Sequence, residues 1–252
     1  MTETENTMQP DETLLRLEAV QKRFGGLVVL NNIDIAIGAK ELIGLIGPNG
    51  AGKSTLFNLI TALYTPTQGR IRFRGRDITG TAPHRICRLG IARTFQLVRT
   101  FLTMTAFENI MVGAVYGGGG RVRHATAAAE EALELVGLTA KRDVRTAHMT
   151  LSDRRLLEIA RAVASSPALL LLDEPMAGLN PTEIQRMVDV IRRVRNERGV
   201  SILWVEHKVD AIMKVCSRVI VLDHGEKIAD GTPREIVANR KVIEAYLGEP
   251  AA

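Results

Sequence analysis

Three observations predict an α/β fold with a parallel central sheet in this chain of 252 residues. A glycine-rich loop sits between an apolar run and a helix-like run, four leucines in a row end in two acids, and strand-like and helix-like segments alternate after Pro167. The loop reads Gly47, Pro48, Asn49, Gly50, Ala51, Gly52, Lys53, Ser54, Thr55, which satisfies the pattern G-x-x-x-x-G-K-[ST]. Its glycines let backbone N–H groups close around phosphate oxygens, Lys53 can reach the outer phosphates, and the Ser54 hydroxyl is placed to ligate Mg²⁺. The apolar run Glu41 to Ile46 before it reads as a buried strand, and Leu56 to Ile60 after it as a helix. The context predicts a site for a nucleoside triphosphate.

In chain order, residues 1–13 form an acidic tail (Glu3, Glu5, Asp11, Glu12) expected to be flexible. Leu14 to Val20 and Val28 to Ile37 alternate or run apolar between Gly-containing turns, which predicts short antiparallel strands feeding the central strand Glu41 to Ile46. Arg70, Arg72, Arg74 and Arg76 alternate with Ile71 and Phe73 at the period of a strand, one solvated face over a buried one. From about Phe95 to Ala164 the pattern is helical and Ala-rich, broken by Gly117 to Gly120, which reads as a flexible loop. Beyond Pro167 come a strand over Ala168 to Leu172, a helix from Pro181 to Arg198, a strand over Ser201 to Val205, a short helix near Val209 to Val215 and a strand over Arg218 to Leu222. The long helix is well specified. Asn180 can cap it, Pro181 suits its first turn, Glu183 can bond back to the cap, and Gly199 can stop it. Ile184, Met187, Val188, Ile191 and Val194 recur on one face, which is the core stripe.

Composition narrows the function. With 46% hydrophobic and 24% charged residues the chain can build a sizeable core. No apolar run approaches the roughly 18 residues that cross a bilayer, and the acidic start lacks the layout of a signal peptide. Cys87 and Cys216 are far apart and in no metal-ligand spacing, so they read as reduced, buried thiols. Eight arginines and a single acid, Asp77, lie between Arg70 and Arg99. They invite a nucleic-acid reading, but the strand period makes them a solvated face, with few aromatics for base stacking.

The second chemical element is Leu169 to Leu172 followed by Asp173 and Glu174. A fully buried strand would deliver both carboxylates to the end of a parallel sheet where ligands bind. Asp173 can hold the magnesium shell and Glu174 can orient and deprotonate an attacking water.

These residues, with what lies between and after them, resemble over nearly the whole chain the nucleotide-binding subunit of ATP-binding cassette transporters. The resemblance implies a P-loop NTPase fold with an N-terminal antiparallel β-subdomain, one domain over residues 14–248 and a helical signalling subdomain at about 97–165. It implies ATP and Mg²⁺ as ligands. Phe24 matches the aromatic that stacks on adenine. Gln96 matches the glutamine that senses the metal and γ-phosphate, and His207 the switch histidine that bonds the γ-phosphate. Ala177 to Asn180 matches the loop that touches the opposite subunit. Within the family the chain is similar to the ATPases of branched-chain amino-acid importers through Arg16 to Gly26, Gly90 to Gln96, Met176 to Pro181, Gly231 to Pro233 and Glu244 to Gly248.

One segment departs from the family pattern Leu-Ser-Gly-Gly-Gln. Counting back from Leu157 to Ala162 places Thr150 at the serine, Leu151 at the first glycine, Ser152 at the second and Asp153 at the glutamine. A carboxylate beside a phosphate is electrostatically awkward, so a slow or inactive ATP site on this segment is expected. The alternative reading is a helix N-terminus capped by Ser152 without nucleotide contact.

The resemblance implies a peripheral protein at the cytoplasmic face of the inner membrane. Its partners would be two integral-membrane permease subunits, a second ATPase or a second copy of itself, and indirectly a periplasmic solute-binding protein, with no nucleic acid. An importer for another small polar solute such as an amide or urea, a cassette protein working on nucleic acid or ribosomes, and a structural ATP-binding subunit are the competing readings.

Overall fold

In the computed structural model, residues 13–117 and 122–247 are described. Residues 1–12 of the expected tail, Gly118 to Gly120 and Gly248 lie outside them, while Thr13 already opens the first strand. In chain order the elements are β1 (Thr13–Phe24), β2 (Leu27–Gly38), β3 (Leu42–Ile46), α1 (Lys53–Ile60), β4 (Gln68–Phe73), β5 (Arg76–Asp77), α2 (Pro83–Leu89) and β6 (Ile91–Arg93). They continue as α3 (Ala106–Gly117), α4 (Val122–Leu135), α5 (Leu151–Val163), β7 (Leu169–Asp173), α6 (Pro181–Arg198), β8 (Ser201–Val205), α7 (Val209–Val215), β9 (Arg218–Asp223), β10 (Glu226–Gly231), α8 (Pro233–Ala238) and α9 (Arg240–Leu247).

The strands form two sheets. An antiparallel sheet has the order β2-β1-β4-β5, and the central sheet the order β10-β9-β3-β8-β7-β6. In the central sheet β3, β6, β7, β8 and β9 are parallel, and β10 closes the edge antiparallel to β9. Both faces of the parallel part are covered, as such sheets require. Ile43 and Leu45 of β3 point to one face, where the antiparallel sheet and α1 pack, and Leu42 and Ile46 to the other, where α3 to α6 pack. Ile71 and Phe73 are buried and Arg70 exposed, the alternation read from the sequence, but the strand ends at Phe73: Arg74, at φ 51°, and Gly75 turn the chain into β5, so Arg74 and Arg76 do not continue one strand face. The single tryptophan, Trp204, is the largest wholly buried side chain and sits one residue before the end of β8.

The glycine at the end of α3 is a correction to the sequence reading. Gly117 is helical, and a Cβ there would stand 2.1 Å from the Ser165 Cβ; one at Gly113 would stand 2.0 Å from the Arg161 carbonyl. These two glycines, one turn apart, let α3 lie directly on the C-terminal half of α5. Sequence reading missed α2, β6, β10 and the two C-terminal helices as elements, all short pieces that take their shape from neighbours in space.

Helix α6 carries its own start and stop. The Asn180 side chain accepts from the Glu183 N–H, the Glu183 carboxylate accepts from the Asn180 N–H, both at 3.0 Å, and Gly199 ends the helix at φ 64°. Replacing Asn180 with Ala should cost about 1 kcal/mol, or roughly 2–4 °C of melting temperature in a chain of this size. A thermal melt unchanged within error would show the cap is redundant.

Candidate nucleotide-binding site

Strand β3, buried throughout, ends at the phosphate loop. A Cβ on Gly47 would lie 2.0 Å from the Leu222 carbonyl oxygen, and φ there is 151°, so only glycine fits where the loop leaves the sheet. The loop ends at Gly52, φ 101°, the N-cap of α1, where no side chain caps the helix. Its first amides are left facing the cavity, the arrangement that favours an anion. Lys53 is buried and its Nζ donates to the carbonyls of Gly47, at 2.6 Å, and Pro48, at 2.8 Å. Burial holds its ammonium below the ordinary lysine value, against the opposing pull of the Glu174 and Asp173 carboxylates. The cavity, about 310 Å³, is lined by Val29, residues 49–55, Gln96, Glu174 and His207.

The fold thus brings together three residues that lie 78 and 33 positions apart in the chain. Glu174 leaves β7 in the left-handed region, φ 50°, its N–H donating to the Val205 carbonyl. Its Oε1 is 2.9 Å from His207 Nε2, and its Oε2 accepts from Gln96 Nε2 at 3.1 Å. Both oxygens of the candidate base are therefore engaged. A non-glycine residue held at positive φ marks a functional position when its surroundings enforce it, as the paired strands do here.

Asp173 is not at the cavity surface. It is buried, and its Oδ2 accepts from Arg93 Nη2 at 2.7 Å. Arg93 also donates to Asn58 Oδ1 on α1 at 2.6 Å, and its guanidinium lies over the rings of Phe57 and Phe95. The expectation that Asp173 faces the metal shell directly is thus modified: one of its oxygens is committed to an arginine. The oxygen donors that remain near the loop are the Ser54 hydroxyl, the Gln96 amide oxygen and the free Asp173 oxygen. That set fits Mg²⁺, which takes one or two protein oxygens and completes its shell with water and phosphate. A cage of three or more His, Cys, Asp or Glu is absent among the described residues, and Mg²⁺ in such sites does without one.

Phe24 stands apart from the phosphate cavity, half exposed at the end of β1. Tyr64, which sequence reading passed over, meets it edge-on at 5.2 Å, and Lys22 Nζ lies 4.9 Å from the Phe24 centroid. The segment carrying Tyr64 is tied to β1 by Lys22 Nζ on the Thr65 carbonyl and by the Arg23 N–H on Thr67 Oγ1. Cys216 is buried as read, whereas Cys87 is only half buried. Burial pushes the Cys216 thiol up to about 12 and raises that of the half-buried Cys87.

Thr150 to Asp153 lie away from the cavity, at the start of α5. The cap is Thr150, not Ser152: its Oγ1 accepts from the Asp153 N–H at 3.2 Å and donates to Asp153 Oδ2 at 2.9 Å. Ser152 is buried within the first turn, and Leu151 is 45% exposed. The Asp153 carboxylate, 2% exposed, is turned inward onto Lys141 and Arg186. Burial alone would raise its carboxyl, but the bonds from Lys141 and Thr150 outweigh that and hold it below the usual range. The carboxylate thus stays charged and is paired with cations of its own chain.

A larger groove, about 520 Å³, opens between the central sheet and α3, with Phe95, Arg99, Phe101, Val112, Tyr116 and Arg161 among its walls. Phe101 and Leu102 are half exposed, whereas Phe107 packs into the core under the Arg142 guanidinium, at 3.9 Å.

Because the folded-state carboxyl of Asp153 is held low, its stabilising contribution is fully present above about pH 4 and lost as pH falls through the folded value. Urea midpoints of the parent and Asp153→Asn should differ at about pH 7 and converge toward about pH 2. A gap that stays constant over that range would remove this ion pair from the account.

The chain matches the ABC transporter family over residues 30–177 and the branched-chain amino acid ATP-binding cassette transporter family over residues 226–252. It is 39% identical to the high-affinity branched-chain amino acid transport ATP-binding protein LivG of Salmonella typhimurium, covering 94% of this chain and 99% of that one. It is also 39% identical to the corresponding protein BraF of Pseudomonas aeruginosa, over 94% and 98%. A crystal structure of an ATP-binding cassette of an ABC transporter in its ADP conformation superposes with a TM-score of 0.84 at 29% identity, over 96% of this chain and all of that one.

Proposed function

Since the chain belongs to the ABC transporter family as an ATP-binding subunit, we propose that it hydrolyses ATP with Glu174 as general base and so energises an importer of branched-chain amino acids. The observation that carries the reading is Glu174 at the mouth of the phosphate-loop cavity, bonded to both His207 and Gln96. The family match over the C-terminal residues 226–252 and the relatives LivG and BraF support the cargo.

The triphosphate would occupy the α1 N-terminus and draw Lys53 from its own loop's carbonyls. A γ-phosphate offers acceptors to the His207 imidazole and the Gln96 amide, which now bond Glu174. Their transfer frees the Glu174 carboxylate to take a proton from water as its oxygen attacks the γ-phosphorus. The bond from γ-phosphorus to the bridging oxygen breaks, and ADP and phosphate leave. Ser54, with Gln96 and Asp173 beside it, would hold Mg²⁺, which when bound would neutralise charge on the phosphates. Phe24, steadied by Tyr64, would stack on adenine, a contact of about 1–3 kcal/mol by analogy with base stacking on aromatics.

In this reading two cassettes close head to tail, the α5 N-terminus at Thr150 to Asp153 facing the other chain's ATP. With Ser152 and Asp153 turned inward, what that surface offers is the Thr150 hydroxyl, helix amides and the projecting Leu151. The partner is a second, different ATPase, and the site that uses Leu151 in place of a glycine is the slower one. The groove beside Phe101 would take a helix of a permease subunit, which keeps the protein peripheral at the membrane's cytoplasmic face. No described helix is long and apolar enough to cross a membrane itself.

Glu174→Gln should keep ATP affinity and lower turnover by about 10²–10⁴-fold; hydrolysis near the parent rate in that variant would defeat the base assignment. Lys53→Ala should weaken ATP binding about tenfold to a hundredfold through the lost charge-assisted bonds, measured by equilibrium titration, and an unchanged affinity would take Lys53 out of the site. A glutamate at Phe101 should separate transport from hydrolysis while nucleotide binding stays intact. Crosslinking that places Phe101 far from every membrane subunit would contradict the groove's role.

A further inference from the structure

Glu206 is a buried carboxyl that the mechanism above does not use. It directly precedes His207, is 4% exposed, and its Oε1 accepts from the Met176 N–H at 2.8 Å in a buried bond. Burial is the main cause that raises its carboxyl above the usual range; the Glu174 carboxylate adds to it, and the Met176 and His207 N–H groups oppose it. An acid kept out of water beside another acid is a destabilising choice, since a neutral acceptor would satisfy the same donor without that cost.

Its place in the backbone ladder explains what it does. Strands β7 and β8 pair in parallel up to Asp173 and Val205. The next donor, the Glu174 N–H, reaches the Val205 carbonyl at 3.0 Å. Past that point the strands separate, because Glu174 turns to φ 50° and the chain enters Pro175 and Met176. The Met176 N–H would then be a buried donor without a main-chain partner, and the Glu206 side chain takes it. The side-chain oxygen extends the ladder by one rung beyond the last strand residue. That rung joins the loop that carries Glu174 to the loop that carries His207, on the far side of the 2.9 Å contact between their side chains.

We infer that Glu206 is a positioning residue for ATP hydrolysis: it fixes the Glu174 to Met176 turn against the His207 loop, so that base and switch histidine move as one unit. This rests on the reading of Glu174 as the base. The inference goes beyond that reading because it gives the residue before the histidine a separate, acceptor-based role. Met176 also begins the segment running through Ala177 to Asn180, so the same rung sets where that segment starts.

The variants that test it are Glu206→Gln, which keeps an acceptor at the same reach, Glu206→Asp, which keeps the charge but is one methylene too short, and Glu206→Ala. Turnover is measured in the assembled transporter, and amide exchange at Met176 in the purified full chain. Expected are turnover within a few-fold of the parent for Gln, a loss of tenfold or more in kcat with ATP affinity unchanged for Asp and Ala, and Met176 exchange faster in Asp and Ala but not in Gln. Equal losses in Gln and Ala, or Met176 exchange untouched by Asp and Ala, would overturn the inference. If Ala does not fold, Asp against Gln decides by the same two readouts. Glu174→Gln run alongside separates the two levels: full turnover there sinks the base assignment, whereas a dead Glu174→Gln beside a fully active Glu206→Asp sinks only the role of Glu206.

Discussion

The approach of the Leu222 carbonyl to Gly47 is the contact on which the rest of the site depends. Strand β9 lies beside β3, and its Leu222 carbonyl occupies the space any side chain at residue 47 would need. The phosphate loop can therefore leave the sheet in one direction only, over the end of β9 and back into α1. That direction aims the α1 N-terminus across the C-terminal ends of β8 and β7, where His207 and Glu174 emerge. Parallel pairing does the remainder. Because β3, β8, β7 and β6 run the same way, their ends place residues 47–53, 207, 174 and 96 along one crevice without any loop having to be long.

Each charged group of the site already holds a partner inside the chain. Lys53 donates to two carbonyls of its own loop, Glu174 has both oxygens taken, and Asp173 is paired with Arg93. An unpaired buried charge would cost several kcal/mol, so these internal partners stabilise the charged side chains around the cavity. In the proposed reaction, triphosphate binding would then be an exchange of partners. Its affinity is a difference between two well-satisfied arrangements, and the geometry shifts with it.

Much of this was legible in the sequence where the signal is local. The phosphate loop carries its own pattern, the leucine run ending at Asp173 reads as a buried strand, and the cap and stop of α6 lie within one or two turns of the residues they serve. His207 and Gln96 came from likeness to a family, since nothing in their neighbours' spacing marks them. What stayed illegible depends on partners distant in sequence. Arg93 finds Asp173 eighty positions away, Asp153 pairs its charge with Lys141 and with Arg186 on another helix, and Met176 finds Glu206. Asp153 shows the difference most clearly: linear reading puts a carboxylate next to phosphate, and the fold turns it around. Strand β6, three residues long, is too short for a period to show, and β10 is a sheet edge with only Ala229 buried, so no apolar pattern marks it.

The burial of Trp204 has a spectroscopic consequence. It is the chain's only tryptophan, sits wholly inside β8, and precedes His207 by three residues. Its ring is wholly buried, so its emission belongs at the blue end of the tryptophan range. Any rearrangement of the histidine loop changes the field at that one ring, with no second indole to dilute the signal. The protein therefore contains its own fluorophore on the strand that leads to His207, and any movement there on adding nucleotide can be followed in the unlabelled chain in real time.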